Sequence, residues 1–235
     1  MHVAIMQPYV YPYLGYFQLI HAADVFVFYD DVNFIKRGYI NRNSILQNGQ
    51  AVRFTIPCLK ASQNKLINAV YIDAESKAIS KFLVQLEHVY CQAPYYNIVM
   101  PLLHEVLGGD LKGTTISELA IASVKQVCRY LKLNVVFKAS SVDFTSSRNL
   151  GASERLITIT KALGGSTYVN AAGGKALYSK DRFLQDDIGL HFLESQAIRY
   201  TQFQDEFVPW LSIIDVMMFN SVQTIRQYLE AYKLT

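Results

Sequence analysis

The sequence predicts an α/β fold with a mainly parallel, Rossmann-like sheet and a helical insertion. Short apolar runs at Val3–Met6 and Val25–Tyr29 are typical of parallel strands that are buried on both faces. Between them, residues 14–23 carry apolar side chains at the spacing of one helix face. Three helical segments then follow one another over residues 77–131 with no strand between them. We therefore expect a single α/β domain over residues 1–235, with a helical insertion at about 77–131.

The first strand, Val3–Met6, is followed by a loop that contains Pro8 and Pro12. Proline has no backbone N–H, so these two residues end the strand pairing. The helix at residues 14–23 and the strand at residues 25–29 complete a βαβ unit. Ligands of open α/β sheets bind outside the carboxyl ends of the strands. The polar residues expected on that side are Gln7, Tyr9, Asp30, Asp31, Asn41, Arg42 and Asn43.

The later elements follow from the same two periodicities, of strands and of helices. Strands are predicted at Val52–Pro57, Leu66–Ile72, Val135–Ala139, Thr167–Asn170 and Leu190–Glu194. Helices are predicted at residues 77–91, 95–107, 116–131, 153–163 and 177–185, and as a pair within 208–232 that breaks near Asn220. Thr115 and Glu118 have the spacing of a capping box. The strand at residues 135–139 is expected to neighbour the first two strands in one parallel sheet.

Composition and charge argue against several classes of protein. The 22 Lys and Arg and 19 Asp and Glu residues give a net charge of +3, which is too mild for a nucleic-acid binder. Cys58, Cys91 and Cys128 are scattered and odd in number, which favours a reducing compartment and gives no zinc pattern. No leader precedes the first strand, and no apolar run reaches the ~18 residues of a membrane span. We therefore expect a cytoplasmic protein.

Two adjacent carboxylates and one histidine are the candidate catalytic residues. Asp30 and Asp31 end a buried strand, where a carboxylate can act as a general base or bind a substrate amine. Strand alternation would turn them to opposite faces, so one is expected to face the site, and Asp30 is favoured because it is nearer the strand end. His88, beside Tyr90 on a predicted helix, is the best placed histidine, although no histidine spacing indicates a metal. The alternatives are a turn cap for the aspartates and a surface or core position for His88.

Candidate substrate-binding residues lie in the loops after the predicted strands. Arg42 stands between two asparagines and suits a phosphate, because a guanidinium donates two parallel hydrogen bonds to such a group. Arg42 and Arg155 are expected to reach one bound diphosphate, while the tyrosines of the first loop contact a sugar and a base. An ordinary turn or helix cap is the alternative for each loop. The candidates are Gln7, Tyr9, Tyr11, Tyr13, Lys36, Asn41, Arg42, Asn43, Ser140, Ser141, Arg155, Gly173 and Gly174.

The first loop is loosely similar to that of adenylylating α/β enzymes, which carry a His-x-Gly-His type motif where the loop meets a helix. Tyr13-Leu14-Gly15-Tyr16 occupies that place here, with tyrosines where the histidines belong. A tyrosine, with a pKa near ~10, donates hydrogen bonds but does not replace an imidazolium. The serine-rich segment around Ser140–Ser147, with Arg148, is similar to the second motif of those enzymes and could hold phosphates.

Motifs spread over almost the whole chain resemble the WbqC-like family of bacteria. They are QPYVYPYLGYFQLI at 7–20, ADVFVFYDDV at 23–32, NRN at 41–43, the strand that ends at Pro57, YCQAPY at 90–95, Ser140-Ser141, Glu154-Arg155-Leu156, Tyr168 with Gly173-Gly174, and FVPWLSIID at 207–215. The family takes its name from a member in an O-antigen gene cluster. The resemblance therefore implies a role in the assembly of surface polysaccharide, where the substrates are nucleotide-linked sugars.

Within that role we expect a transferase that moves an acyl or aminoacyl group, such as glycyl, to the amine of a nucleotide-linked amino-deoxysugar. The donor stays open between an adenylate made from ATP and a thioester on an acyl carrier protein, and no metal is expected. One alternative is an adenylate-forming ligase or nucleotidyltransferase for a small carboxylic acid, which would release pyrophosphate from ATP. Another is a noncatalytic scaffold of the pathway, which would expose an apolar patch of more than a few hundred Å2.

Overall fold

The computed structural model describes residues 1–235. Its strands are β1 (His2–Met6), β2 (Val25–Phe28), β3 (Arg42–Gln47), β4 (Gln50–Thr55), β5 (Val136–Ala139), β6 (Thr167–Ala171), β7 (Gly189–Ser195) and β8 (Tyr232–Leu234). Its helices are α1 (Leu14–His21), α2 (Ala78–Tyr90), α3 (Tyr96–Leu107), α4 (Ile116–Tyr130), α5 (Ser140–Asp143), α6 (Ala152–Ala162), α7 (Lys180–Leu184), α8 (Ile213–Phe219) and α9 (Val222–Leu229).

Six strands form the central sheet in the order β5-β2-β1-β6-β7-β8. All neighbours are parallel except β7 and β8, with Val3 paired to Val25 and Val25 paired to Val136. This confirms the predicted α/β class with a mainly parallel sheet, and the predicted adjacency of the first two strands and residues 136–139. The chain passes from β1 to β2 on one side, whereas β6 lies on the other side of β1. The order in which the chain adds strands to the sheet therefore reverses between β1 and β6, while the strands stay parallel.

Alternate residues of the central strands pack into two different cores, which is why their sequences are apolar without interruption. Val25 and Val27 of β2 join residues of α6 and α7 in the smaller core. Phe26 and Phe28 join α1, α8, α9 and the three successive helices α2, α3 and α4 in the larger core. The Thr115 side chain accepts from the backbone N–H of Glu118, and the Glu118 carboxylate accepts in return, so the predicted capping box is confirmed.

The structure corrects the predicted organisation of residues 41–57. Arg42 and Asn43, which were expected in a loop, open β3, and this strand pairs with β4 in a separate antiparallel hairpin. The hairpin has two unlike faces, because Asn43 and Phe54 are buried whereas Arg53 and Thr55 are exposed. The strand predicted at Val52–Pro57 is therefore not part of the central sheet. Its alternation of buried and exposed residues belongs to a hairpin that packs on the larger core.

The predicted strand at Leu66–Ile72 is wrong. This segment forms a short 3-10 turn, Ile67–Ala69, and makes isolated bridges to three different places in the chain. Ile67, Val70 and Ile72 are buried, but the segment crosses between loops and does not pair with one strand. The predicted helix at 177–185 is shorter than expected, since it is preceded by a 3-10 turn at Ala172–Ala176.

Candidate functional site

The carboxyl ends of the parallel strands bring several of the predicted residues to one edge of the sheet. Residues 7–13 follow β1, residues 29–31 follow β2, Ser140-Ser141 follow β5 and Gly173-Gly174 follow β6. The reversal of strand order between β1 and β6 lies at the middle of this edge. Open α/β sheets bind their ligands at such a place, so this edge is the candidate site.

Asp31 forms a buried ion pair with Arg155 of α6. Nη2 of Arg155 lies 2.7 Å from both Asp31 carboxylate oxygens, and their side chains are 3% (Arg155) and 0% (Asp31) exposed. Ser140 Oγ also donates to Asp31, and Nε of Arg148 lies 3.2 Å from Oδ2. Burial alone would raise the pKa of Asp31, but the hydrogen bonds from Ser140 and Arg155 hold it below its usual range. The expected diphosphate contact of Arg155 is thus corrected, because Asp31 already balances its charge.

Asp30 is held by the start of α5 and by no cation. Its Oδ1 accepts from the backbone N–H of Ser141 at 3.0 Å and from Ser140 Oγ at 3.2 Å, and its Oδ2 accepts from Ser141 Oγ at 2.7 Å. Both aspartates contact Ser140, so they do not point to opposite faces as strand alternation predicts. The reason is that β2 ends at Phe28, before either aspartate. Asp30 is therefore the buried carboxylate of the pair whose charge remains uncompensated.

Three arginines of the 37–53 region form what we term the arginine face, consisting of Arg37, Arg42 and Arg53. Arg53 is paired with Ser44 across the hairpin, so it projects from the same face as Arg42. Burial and the neighbouring Arg53 and Arg37 lower the pKa of Arg42. None of the three forms an ion pair. Arg42 Nε donates to the Gly38 carbonyl oxygen at 2.8 Å, but its Nη2 is shielded from solvent and has no acceptor.

Tyr39 borders the arginine face and belongs to a cluster of aromatic side chains. The ring centroid of Tyr9 lies 6.3 Å from that of Tyr39, and the Tyr13 centroid lies 6.2 Å from that of Trp210. Burial, with Tyr13 and Tyr39 as neighbours, raises the pKa of Tyr9 to about 12. Tyr39 also lies near enough to Arg42 to influence its charge. Tyr39 therefore joins the ring cluster of Tyr9 and Tyr13 to the arginine face, whose cations lack a carboxylate partner.

A cavity of about 310 Å3, here called the α1 cavity, opens beside Tyr13 at the start of α1. Its wall consists mainly of apolar and aromatic side chains from α1, from the end of β7 and from the segment that follows β7. The lining residues are Tyr13, Leu14, Gly15, Gln18, Ser195, Gln196, Ala197, Ile198, Arg199, Tyr200, Phe207, Pro209, Trp210, Leu211 and Val216.

Asp215, in the first turn of α8, fastens the segment around this cavity. The Asp215 carboxylate accepts from Tyr200 Oη at 2.6 Å, from Tyr90 Oη at 2.8 Å and from Gln202 Nε2 at 3.0 Å. Gln202 also bonds both backbone groups of Val208, which closes the loop on itself. Burial raises the pKa of Asp215 although three donors oppose the shift. This network joins α2, α8 and the cavity wall into one unit.

Burial removes two predicted residues from the set that can contact a ligand, and a third is occupied in the hairpin. Tyr11 is 0% exposed, and its hydroxyl donates to Gln126 Oε1 at 2.9 Å in the core. Asn43 is buried and its Nδ2 donates to the Tyr11 carbonyl oxygen at 2.9 Å. Asn41 Nδ2 donates to the Ile56 carbonyl oxygen at 2.8 Å and thereby holds the hairpin. All three side chains thus have partners within the protein, a backbone carbonyl oxygen for each asparagine and a side-chain oxygen for Tyr11. A polar loop sequence does not distinguish such partners from a ligand.

The remaining predicted residues divide between the edge and other surfaces. Gln7 and Lys36 keep side chains without a hydrogen bond to the protein, and Gly174 packs so closely on Asn170 that a Cβ there would require the Asn170 side chain to shift. Gly173 is exposed beside it. His88 is exposed on α2 and borders a shallow pocket with residues of the β3–β4 turn. The structure shows no contact between His88 and either aspartate, so its catalytic role stays a prediction.

Several residues of the site were not singled out by the sequence analysis. Arg53 belongs to the arginine face, Tyr39 borders that face and Trp210 contacts Tyr13. Gln18 and Arg199 line the α1 cavity. A hairpin interpretation of residues 42–55 would have placed Arg53 beside Arg42. Trp210 is the single tryptophan of the chain and stands in the motif FVPWLSIID at 207–215, so that motif could have indicated it as a site residue. Gln18 stands in the quoted motif at 7–20 that also contains the first loop, whereas no sequence signal connects Arg199 with that loop.

The side chains include no group of three or more His, Cys, Asp or Glu residues placed to hold a metal ion. None of the helices has both the length and the apolar character needed to cross a membrane.

Comparisons with known proteins give one family and one similar protein. The model of the WbqC-like protein family matches residues 7–227. The uncharacterized protein Rv1507c of Mycobacterium tuberculosis (strain ATCC 25618 / H37Rv) is 27% identical over 229 residues, which cover 97% of this chain and 96% of that protein. No solved structure matches the chain.

Proposed function

The chain belongs to the WbqC-like protein family, and on this basis we propose that it is a cytoplasmic transferase of surface-polysaccharide biosynthesis. Its acceptor is the amine of a nucleotide-linked amino-deoxysugar, and the group it transfers is an acyl or aminoacyl group such as glycyl. The nucleotide sugar lies at the carboxyl edge of the sheet, with its diphosphate on the arginine face.

The observation that carries this proposal is the uncompensated charge of the arginine face. Arg37, Arg42 and Arg53 have no carboxylate partner, and Arg42 Nη2 is a shielded donor without an acceptor. Keeping such cations together is unfavourable, because they repel one another and one donor is unsatisfied. A diphosphate supplies both the negative charge and the acceptor oxygens, and the adjacent tyrosines supply rings and hydroxyls for the sugar and the base.

Transfer requires the sugar nitrogen as a neutral amine. In the proposed step its lone pair attacks the carbonyl carbon of the activated acyl donor, a C–N bond forms, and the bond from that carbon to the donor's leaving group breaks. One proton of the nitrogen goes to a base and then to the leaving group. Asp30 is the proposed base, because its charge is uncompensated, whereas Asp31 is engaged by Arg155.

Binding of a UDP- or dTDP-linked amino sugar by calorimetry tests this proposal. We expect Arg42→Gln to weaken binding roughly tenfold to a hundredfold, since an ionic hydrogen bond contributes ~1.5–3 kcal/mol. The matched control is Arg129→Gln, an exposed arginine of α4 that pairs with Glu105 at 3.6 Å. Equal affinities of the Arg42 variant and the wild type would remove the arginine face from the proposal.

A ligase that adenylates a small acid is the second candidate, and the start of α1 at the site favours it. Helix N-termini carry free N–H groups that suit phosphates, and Tyr13 caps α1 without a side-chain hydrogen bond. Release of pyrophosphate from ATP in the presence of carboxylic acids, without any amino sugar, would favour the ligase over the transferase.

A further inference from the structure

Trp210 combines a strained backbone with an exposed ring. Its φ is 62°, in the left-handed region where a bulky residue is an outlier, and the residue is 75% exposed. Burial of the ring therefore does not offset the strain, since most of the ring faces solvent. Backbone strain of this kind collects at functional sites, where the surrounding structure imposes it. The two features together favour a ring that contacts a ligand.

Hydrogen bonds on both sides of Trp210 fix its position. Before it, the Gln202 amide donates to the carbonyl oxygen of Val208 at 3.1 Å and accepts from the N–H of the same residue at 2.9 Å. After it, Ser212 Oγ donates to the carbonyl oxygen of Tyr11 at 2.6 Å. Tyr11 lies in the loop after β1, so the second anchor fastens Trp210 to the candidate edge of the sheet.

Tyr13 and Gly15 place Trp210 at the β7 side of this edge. The ring centroids of Trp210 and Tyr13 are 6.2 Å apart. The Tyr13 ring in turn lies over Gly15, where a Cβ would clash with that ring and would stand 2.9 Å from Ser195 Oγ. Ser195 is the last residue of β7. The absence of a side chain at Gly15 thus lets the Tyr13 ring lie beside the end of β7, with Trp210 next to it.

Asp30, the proposed base, lies on the other side of the edge. It follows β2 and accepts from Ser141 Oγ, which follows β5. In the sheet order β2 and β7 are three strand spacings apart, which is roughly 14 Å. The loop after β1 lies between them, and there Tyr9 contacts Tyr39, which borders the arginine face. A nucleotide sugar has the same order, because its diphosphate separates the sugar from the base. An amine at Asp30 therefore leaves the base on the Trp210 side.

The α1 cavity beside Trp210 carries polar groups that suit the edge of a base. Its wall is mainly apolar, but Ser195 and Gln196 are exposed, and neither side chain forms a hydrogen bond to the protein. The Gln196 amide offers both a donor and an acceptor, and the edges of nucleobases carry both kinds of group. The cavity volume of about 310 Å3 lies at the small end of the ~300–1,000 Å3 typical of ligand sites, so it suits a base and not a whole nucleotide sugar.

We propose that Trp210 is the platform on which the nucleobase of the nucleotide-linked sugar stacks, with the edge of the base in the α1 cavity beside Gln196. This inference rests on the proposed transferase, because the amine at Asp30 determines which end of the substrate reaches Trp210. The indole offers a large flat surface for stacking, and its fixed backbone holds that surface in place before the ligand arrives.

The fluorescence of Trp210 reports on a stacked base directly, because it is the single tryptophan of the chain. We would titrate the full chain with UDP, with dTDP and with pyrophosphate, which has no base. The expected result is a saturable quenching of the emission by UDP and dTDP and none by pyrophosphate. Equal quenching by pyrophosphate and UDP would overturn the proposal, because the emission would then respond to the phosphates alone.

Calorimetry of variants identifies the stacking ring. Trp210→Ala should raise the Kd of UDP roughly fivefold to a hundredfold, as expected for removal of a ring that stacks on a base, and should leave the Kd of pyrophosphate unchanged. Trp210→Tyr keeps a ring and should recover most of the affinity. Tyr71→Ala is the matched control, because it removes an exposed ring near the start of α4, and it should bind UDP as the wild type does. Far-UV circular dichroism verifies that each variant is folded.

Three results would overturn the proposal. They are equal affinity of Trp210→Ala and the wild type for UDP, an equal loss of affinity for UDP and pyrophosphate, and binding of ADP without binding of UDP or dTDP. Failure of the transferase proposal is distinguishable from these results. It appears as a lack of acyl transfer, or as an Arg42→Gln variant that binds as the wild type does, while the quenching of Trp210 by UDP persists.

Discussion

Replacing Asp31 by asparagine removes the charge that balances Arg155, while the size of the side chain stays nearly the same. The Arg155 side chain is 3% exposed, so its charge would remain buried with an amide as its partner. Removing one member of a buried ion pair typically costs ~3–5 kcal/mol. Arg148 also contacts Asp31, but its side chain is 47% exposed and contributes little. We therefore expect Asp31→Asn to lose about 3–5 kcal/mol of unfolding free energy, out of a total of ~5–15 kcal/mol for a typical protein.

The assay is urea unfolding followed by far-UV circular dichroism at pH 7. Asp186→Asn is the matched control, because Asp186 also accepts from two cations, Lys161 and Arg182, but on the surface. Its loss should be small, since surface ion pairs contribute little. The double variant Asp31→Asn/Arg155→Met should recover part of the stability, because it removes the buried charge as well.

The same comparison has a defined pH dependence. The pKa of Asp31 is lower in the folded chain than its ordinary value of 3.8, so its contribution is fully present above that value and is lost as the pH falls through the folded pKa. The difference between wild type and Asp31→Asn should therefore be constant above about pH 5 and shrink below pH 4. Two results would refute a buried ion pair that stabilises the fold. One is a loss of unfolding free energy smaller than about 1 kcal/mol, and the other is a difference between the two proteins that stays the same below pH 4.

Two further predictions concern the site and the helical layer. Asp30→Asn should lower kcat in acyl transfer by ~10²–10⁴-fold and leave the calorimetric Kd for the nucleotide sugar unchanged, because a general base acts in the chemical step; full turnover by a folded Asp30→Asn variant would exclude the base role. Thr115→Ala should cost ~1 kcal/mol in urea unfolding, since it removes the side chain that accepts from Glu118 at the start of α4. Thr114→Ala, one residue earlier, is the control for that loss, and equal effects of the two would contradict the assigned cap.

The predicted positions agree with the structure where a residue's place depends only on the strand that it follows. Asp30 and Tyr9 follow adjacent strands and lie at the expected edge. They differ where a residue's role depends on its hydrogen-bond partner. Asn43 lies in a segment whose composition is typical of a ligand-binding loop, but its side chain donates to the backbone of Tyr11. A polar side chain in a loop can satisfy either a ligand or the protein, and local sequence does not state which acceptor is nearby.

Local physics explains what the sequence by itself determined about this protein. Alternate apolar residues such as Val25 and Phe26 must be buried on opposite faces of a strand, so a doubly covered parallel sheet follows from the chain itself. The Thr115 cap follows in the same way, because its partner stands three residues away.

The tertiary structure decided the rest, because the decisive partners are remote in sequence. Asp31 meets Arg155 across 124 residues, and Gln18 meets the carbonyl group of Tyr228 across 210. No periodicity connects such positions, and only the packing of α1, α6 and α9 on the sheet brings them together. That packing alone settles which charges remain unpaired and which buried acceptors lack a donor, since each depends on what every other side chain has already satisfied.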